Sequence, residues 1–127
     1  MSNHPMCIDT HCHLDAPEFA SELSEIIQRA AEKKVKAILL PSVQASDFSR
    51  ARELALQDSK KIPGLVYTLG IHPLYTNQAH ENDIEILERQ IVSSLNDLRF
   101  IGVGEIGLDY FVEGLDPHKQ EFFSMPN

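Results

Sequence analysis

Four times along the chain, a short and nearly continuous apolar run is followed by a longer stretch with helical periodicity. This alternation limits the fold more than any other feature. "MCIDTHCHL" (6–14) reads as a strand. "SELSEIIQRAAEKK" (21–34) reads as a helix with Leu23, Ile26, Ile27, Ala30 and Ala31 on one stripe. "VKAILLPSV" is a strand ended by Pro41. "ASDFSRARELALQDSKK" is helical, with Ser46 its expected N-cap. "GLVYTLGIHP" is a third strand, and "ENDIEILERQIVSSLND" a helix with Ile84, Leu87, Ile91 and Leu95 as its stripe. "RFIGVGEIGLDY" is a fourth strand running into a loop. "DPHKQEFFSM" opens a fourth helix with Asp116 as cap and Pro117 at the first helical position, and Pro126 is expected to break it.

Strands alternating with helices over short connections form a parallel sheet covered by helices. Strands buried on both faces are nearly continuously apolar, as these are. The polar residues gather late: His11 and His13 at the end of the first strand, His72 after the third, Glu105 and Asp109 at and after the fourth. Reactive side chains at the C-terminal ends of several parallel strands mark a (β/α) barrel. An open doubly wound sheet also binds ligands at that edge, but no phosphate-binding glycine fingerprint follows the first strand. A TIM-type (β/α) barrel is therefore the expected fold class. A complete barrel needs about 250 residues and eight strands. The 127 residues supply four, so the expectation is a single domain over 1–127 made of the first four βα units, a truncated barrel.

In an extended strand, side chains alternate between faces. His11 and His13 then share a face and Cys12 opposes them, which suits a His-x-His pair on one cation rather than a His-Cys-His site. A plain exposed strand end accounts for the pair equally well. Asp9 shares their parity and is a candidate acceptor for an imidazole N–H; Asp15 reads as a turn residue. Glu105 stands between Gly102, Gly104 and Gly107, whose cost in a strand suggests close backbone approach or a tight turn. A carboxylate there, uncovered by neighbouring side chains, is placed to bridge two cations. His72 precedes Pro73, which favours extended backbone; it either caps a turn or meets a substrate phosphate or acts as an acid. Asp109 and Tyr110 are candidates for supporting or substrate contacts, with core packing the plainer role for Tyr110. His4, His80 and His118 read as surface residues.

With "IDTHCHLD", "GIHP" and "GEIGLDY" in this order, each after an expected strand, the sequence resembles the TatD family of metal-dependent deoxyribonucleases. "HKQEFF" fits the run that follows the family's third motif. The resemblance covers nearly all of the chain, which looks like the N-terminal half of the family's barrel. It implies a TIM-like barrel related to the amidohydrolases, with two divalent cations in the site. By similarity His11 and His13 bind the first metal, Glu105 bridges both, and His72 and Asp109 lie near the substrate. The implied activity is phosphodiester hydrolysis, typically trimming DNA from a 3′ end. The family's remaining ligands, two histidines and an aspartate, belong to later strands, beyond "SMPN". Magnesium prefers oxygen ligands, whereas an imidazole pair suits zinc or manganese, so tighter binding of a transition ion is expected.

Charge narrows the alternatives. The formal net charge is −8, which argues against nucleic-acid binding through a basic surface but not against an enzyme that meets phosphate through metal ions. Cys7 and Cys12, placed about 16 Å apart along the expected strand, are beyond disulfide reach, as in a reducing compartment. No signal sequence and no membrane span are expected, and the location is read as cytoplasmic. Two further readings stand beside a DNA hydrolase. One is another metal hydrolase of the amidohydrolase superfamily. The other is an inactive, truncated family member that forms a homo-oligomer through exposed half-barrel edges.

Overall fold

The computed structural model describes residues 5–124; His4 and Pro126 lie outside the described residues. Strands β1 (Cys7–Asp9), β2 (Val35–Pro41), β3 (Gly64–Leu69) and β4 (Phe100–Val103) alternate with helices α1 (Leu23–Glu32), α2 (Phe48–Gln57), α3 (Asp83–Ser94) and α4 (Pro117–Ser124). All strand pairs are parallel, in the spatial order β1-β2-β3-β4. Each strand lies beside its predecessor, so right-handed crossovers put α1, α2 and α3 on one face of the sheet. A doubly wound sheet would reverse its strand order, and this one does not. Four βα units in sequential order are those of a TIM-type (β/α) barrel, of which the chain forms a part.

Register explains which residues form the core. Ile38 and Leu40 of β2 stand opposite Leu65 and Tyr67 of β3. All four are buried in one cluster with Ile27 of α1 and Phe48 of α2. Burying one such side chain contributes about 1.5–3 kcal/mol. The opposite face of the sheet carries Leu39, which pairs with Val66, and Ile8, which pairs with Ala37. There Ile8 is 68% exposed. No described helix is long and apolar enough to cross a membrane.

Several local expectations are corrected. β1 stops at Asp9 rather than running to Leu14, because Asp9 Oδ1 accepts a hydrogen bond from the His11 N–H (3.1 Å) and turns the chain. Asp9 therefore serves the backbone, not an imidazole. Cys12 lies past the strand; both cysteines are free. A 3-10 turn over Ala45–Asp47 precedes α2, so Asp47, not Ser46, occupies the cap position, and no side chain bonds there. Leu95 sits at the cap of α3, beyond its last turn, and is 66% exposed instead of joining the stripe. Tyr110 is 62% exposed rather than packed in the core. Its hydroxyl lies 3.4 Å from Glu121 Oε1. By contrast Asp116 does cap α4, accepting from the His118 N–H at 2.9 Å.

Candidate metal centre

The turn at Asp9 decides where the histidines go. After it, the Cys12 N–H still bonds to the Leu39 carbonyl (3.0 Å), so the segment stays against β2. Cys12 packs on the core cluster, while His11 and His13 line a cavity at the C-terminal mouth of the sheet. The alternation argued for a strand thus survives locally without the strand.

The end of β4 is brought to the same mouth by two close approaches. A Cβ on Gly70 would fall on the Gly104 carbonyl, and one on Gly104 would stand 2.8 Å from Thr68 Oγ1. Only residues without side chains let β3 and β4 converge so closely. Glu105 follows with φ 50°, a left-handed backbone that a non-glycine residue rarely adopts. That turn sends its carboxylate towards the histidines. Contrary to expectation it is well covered, with its side chain 16% exposed.

Three side chains meet there. His11 Nε2 lies 3.1 Å from His13 Nε2 and 2.9 Å from Glu105 Oε1, and His13 Nε2 lies 3.6 Å from Glu105 Oε2. Donor atoms bound about 2.0–2.2 Å from one small divalent ion stand about 3.0–3.5 Å apart, so these separations are those of a coordination sphere. Glu105 Oε2 is buried and lacks a hydrogen-bond partner among the described residues. A buried carboxylate oxygen without a donor is costly, and a cation offsets that cost. The donor set fits a divalent metal.

The cavity has a volume of about 500 Å³ and is also walled by Asp15, Asp47 and His72. His72 caps the turn, and it also stands on the cavity wall. Its Nδ1 accepts from the Leu74 N–H at 3.1 Å, capping the 3-10 helix Pro73–Gln78. An accepting Nδ1 assigns the proton of the neutral ring to Nε2, which leaves a donor and not a metal ligand. Sequence reasoning missed Asp47 and gave Asp15 only a turn. Burial raises the carboxyl of Asp15, with Asp47 adding to the effect, and burial raises that of Asp47 as well. The signal for Asp47 was its position just after β2, on the edge where barrel sites form.

Asp109 is not among the residues that wall the cavity. Its carboxylate accepts from the Phe111 N–H (3.0 Å). Its backbone is clamped by the buried Gln120, which accepts from the Asp109 N–H (2.7 Å) and donates to the Asp109 carbonyl (2.9 Å). Asp109 thus shapes the loop that follows Glu105. His80 and His118 are exposed, as read.

A family described as "TatD related DNase" matches residues 8–124. An Escherichia coli K12 protein described as "Uncharacterized metal-dependent hydrolase YjjV" is 36% identical over 110 residues, covering 87% of this chain and 39% of its own. The human protein named "Deoxyribonuclease TATDN3" is 27% identical over 110 residues, covering 81% of this chain and 38% of its own. The crystal structure of YJJV, described as a TatD homolog from Escherichia coli K12, superposes with a TM-score of 0.79 at 32% identity. That match covers 92% of this chain and 43% of the other. The chain spans about two fifths of the length of these relatives.

Proposed function

The chain belongs to the TatD related DNase family, and from that premise we propose that its mouth is a divalent-metal site for phosphodiester hydrolysis, with DNA as the substrate. The observation that carries this reading is the convergence of His11, His13 and Glu105, whose ligand atoms all lie within 4.8 Å of one another. These three residues would hold one ion. A second ion, as in the two-metal scheme the resemblance implies, needs ligands beyond these three. A bound divalent ion supplies charge stabilisation at a phosphoryl oxygen and activates water at neutral pH.

The chain's own residues explain why a cation is required. Asp15, Glu18, Asp47 and Glu105 all line the cavity. Without a cation, such a wall repels a phosphodiester; a bound ion inverts the local sign. His72 then presents its Nε2–H to a non-bridging phosphate oxygen, held in place by the bond from Leu74 to its other nitrogen. Asp109 acts one step removed, by fixing the loop behind Glu105. Free Cys7 and Cys12 suit a reducing, cytoplasmic setting.

The test is cleavage of 5′-labelled single-stranded DNA with Mn²⁺, Mg²⁺ or Zn²⁺, alongside small ester and cyclic amide substrates. Metal-dependent shortening from the 3′ end, abolished by His11→Ala with His13→Ala, is expected. Hydrolysis of the small substrates alone, or DNA cleavage indifferent to both substitutions, contradicts the proposal.

A further inference from the structure

We propose that the apolar side of the metal cavity, centred on Tyr75, is a subsite for the nucleobase of a nucleotide flanking the scissile phosphate. The base is held by stacking, without being read. This rests on the hydrolase reading of the site. Pro17, Val43, Leu74 and Tyr75 wall the same cavity as His11, His13 and Glu105. Its volume of about 500 Å³ is that of a small-molecule pocket, where an apolar wall takes the body of the ligand and a few polar groups orient it.

The rest of the wall argues for stacking. Asp15, Glu18 and Asp47 are acidic, and no Lys or Arg among the described residues lines the cavity. The usual attraction of nucleic acid to basic side chains is therefore missing here. Affinity beyond the cation has to come from uncharged contacts, and an aromatic face supplies one, because every base has a π-face. Tyr75 is half-buried, and it also borders a second hollow with Gln78 and Ile86, so its ring is not consumed in the core. That ring stands perpendicular to the ring of His72, with centroids 6.1 Å apart. With a phosphate oxygen on His72 Nε2, the intervening sugar carries the base to Tyr75.

The wall is braced before any ligand arrives. The His72 N–H donates to the Val43 carbonyl (2.8 Å), and the Tyr75 N–H to the His72 carbonyl (2.9 Å). The buried Thr76 hydroxyl donates to the Pro73 carbonyl (2.8 Å). A preformed wall lowers the ordering cost of binding. Gln44, which shares both hollows with Tyr75, is engaged at both ends of its amide. It accepts from Gln78 Nε2 (3.2 Å) and bonds to the Asp47 carboxylate. Stacking, rather than a hydrogen bond from this amide, is left to hold the base.

The test compares 2′-deoxyadenosine 5′-monophosphate with 2-deoxyribose 5-phosphate, which lacks the base, on the Zn²⁺-loaded chain. The nucleotide should bind about tenfold more tightly. Tyr75→Ala should erase that difference without changing the affinity for the sugar phosphate, and Tyr75→Phe should keep it. The sequence holds no tryptophan, so Tyr75→Trp gives a single fluorophore that reports stacking directly and serves where Tyr75→Ala does not fold. The nucleotide should quench it and the sugar phosphate should not. The other three deoxynucleoside monophosphates should bind comparably; a strong preference for one of them overturns stacking without reading. Equal binding of nucleotide and sugar phosphate overturns the subsite and leaves the metal reading standing. So does a preference that survives Tyr75→Ala with no quenching in Tyr75→Trp. Absence of metal-dependent binding of either phosphate overturns both.

Discussion

His11 Nε2 and Glu105 Oε1 meet at 2.9 Å, although one residue follows the first strand of the sheet and the other follows the fourth. Such a contact exists only when β1 through β4 are assembled in order. The candidate metal centre is thus a property of the folded sheet and not of the local "HCH" sequence.

Glu105 holds its place at a conformational cost. A left-handed backbone costs a non-glycine residue about 1–2 kcal/mol. Glu105→Gly should therefore raise stability by about 1 kcal/mol, since glycine's own entropic cost takes back part of the gain. The same change should weaken divalent-metal binding at least about tenfold. Thermal melts and metal titrations of the same variant check both signs. A lower melting temperature would show that the carboxylate's contacts outweigh the backbone strain.

His72 separates two roles that one residue performs. His72→Ala should cost about 0.5–2 kcal/mol, the usual effect of losing a cap. His72→Asn restores an acceptor for the Leu74 N–H and should recover most of that stability. Both variants should lose turnover, because neither supplies a donor in the cavity at the position of Nε2. Full activity in His72→Asn would remove the ring from substrate binding.

Tyr67 links the core to alkaline stability. Its buried hydroxyl donates to Asp97 Oδ2 (2.8 Å) and contacts Ser94 Oγ (3.2 Å). Burial raises its pKa above the ordinary 10.0; the Ser94 bond opposes the rise and Asp97 adds to it. The folded state therefore keeps the phenol protonated where the unfolded chain has begun to lose it. The associated stability is complete below pH about 10 and is lost as pH rises through the higher folded-state value. Tyr67→Phe should cost about 1 kcal/mol at neutral pH, and the deficit should shrink above pH 10, as denaturant melts across that range would show. A deficit constant with pH would contradict the raised pKa.

The layers of the fold were legible because periodicity reports directly on burial. Ile27 and Leu87 sit where their helical stripes put them, and the apolar runs at 35–41 and 64–69 are buried strands. The convergence of His11, His13 and Glu105 was legible too, since the ends of consecutive parallel strands share one edge. What escaped depended on single contacts. The Asp9 side chain ends β1 five residues before the apolar pattern does. Leu95 and Tyr110 look like core residues, yet exposure depends on which element packs over them, and none of the described residues does so. Asp47 was passed over as a wall of the cavity because its own segment reads as the start of a helix, although it follows β2 on the site edge.

Isothermal titration of the metal-free chain with Mn²⁺ and Zn²⁺ at pH 7 tests the central claim most directly. Saturable binding of one ion per chain is expected, tighter for Zn²⁺, and abolished by His13→Ala or by Glu105→Gln. Binding of equal strength in His11→Ala, His13→Ala and Glu105→Gln combined would show that these three side chains do not form the metal centre.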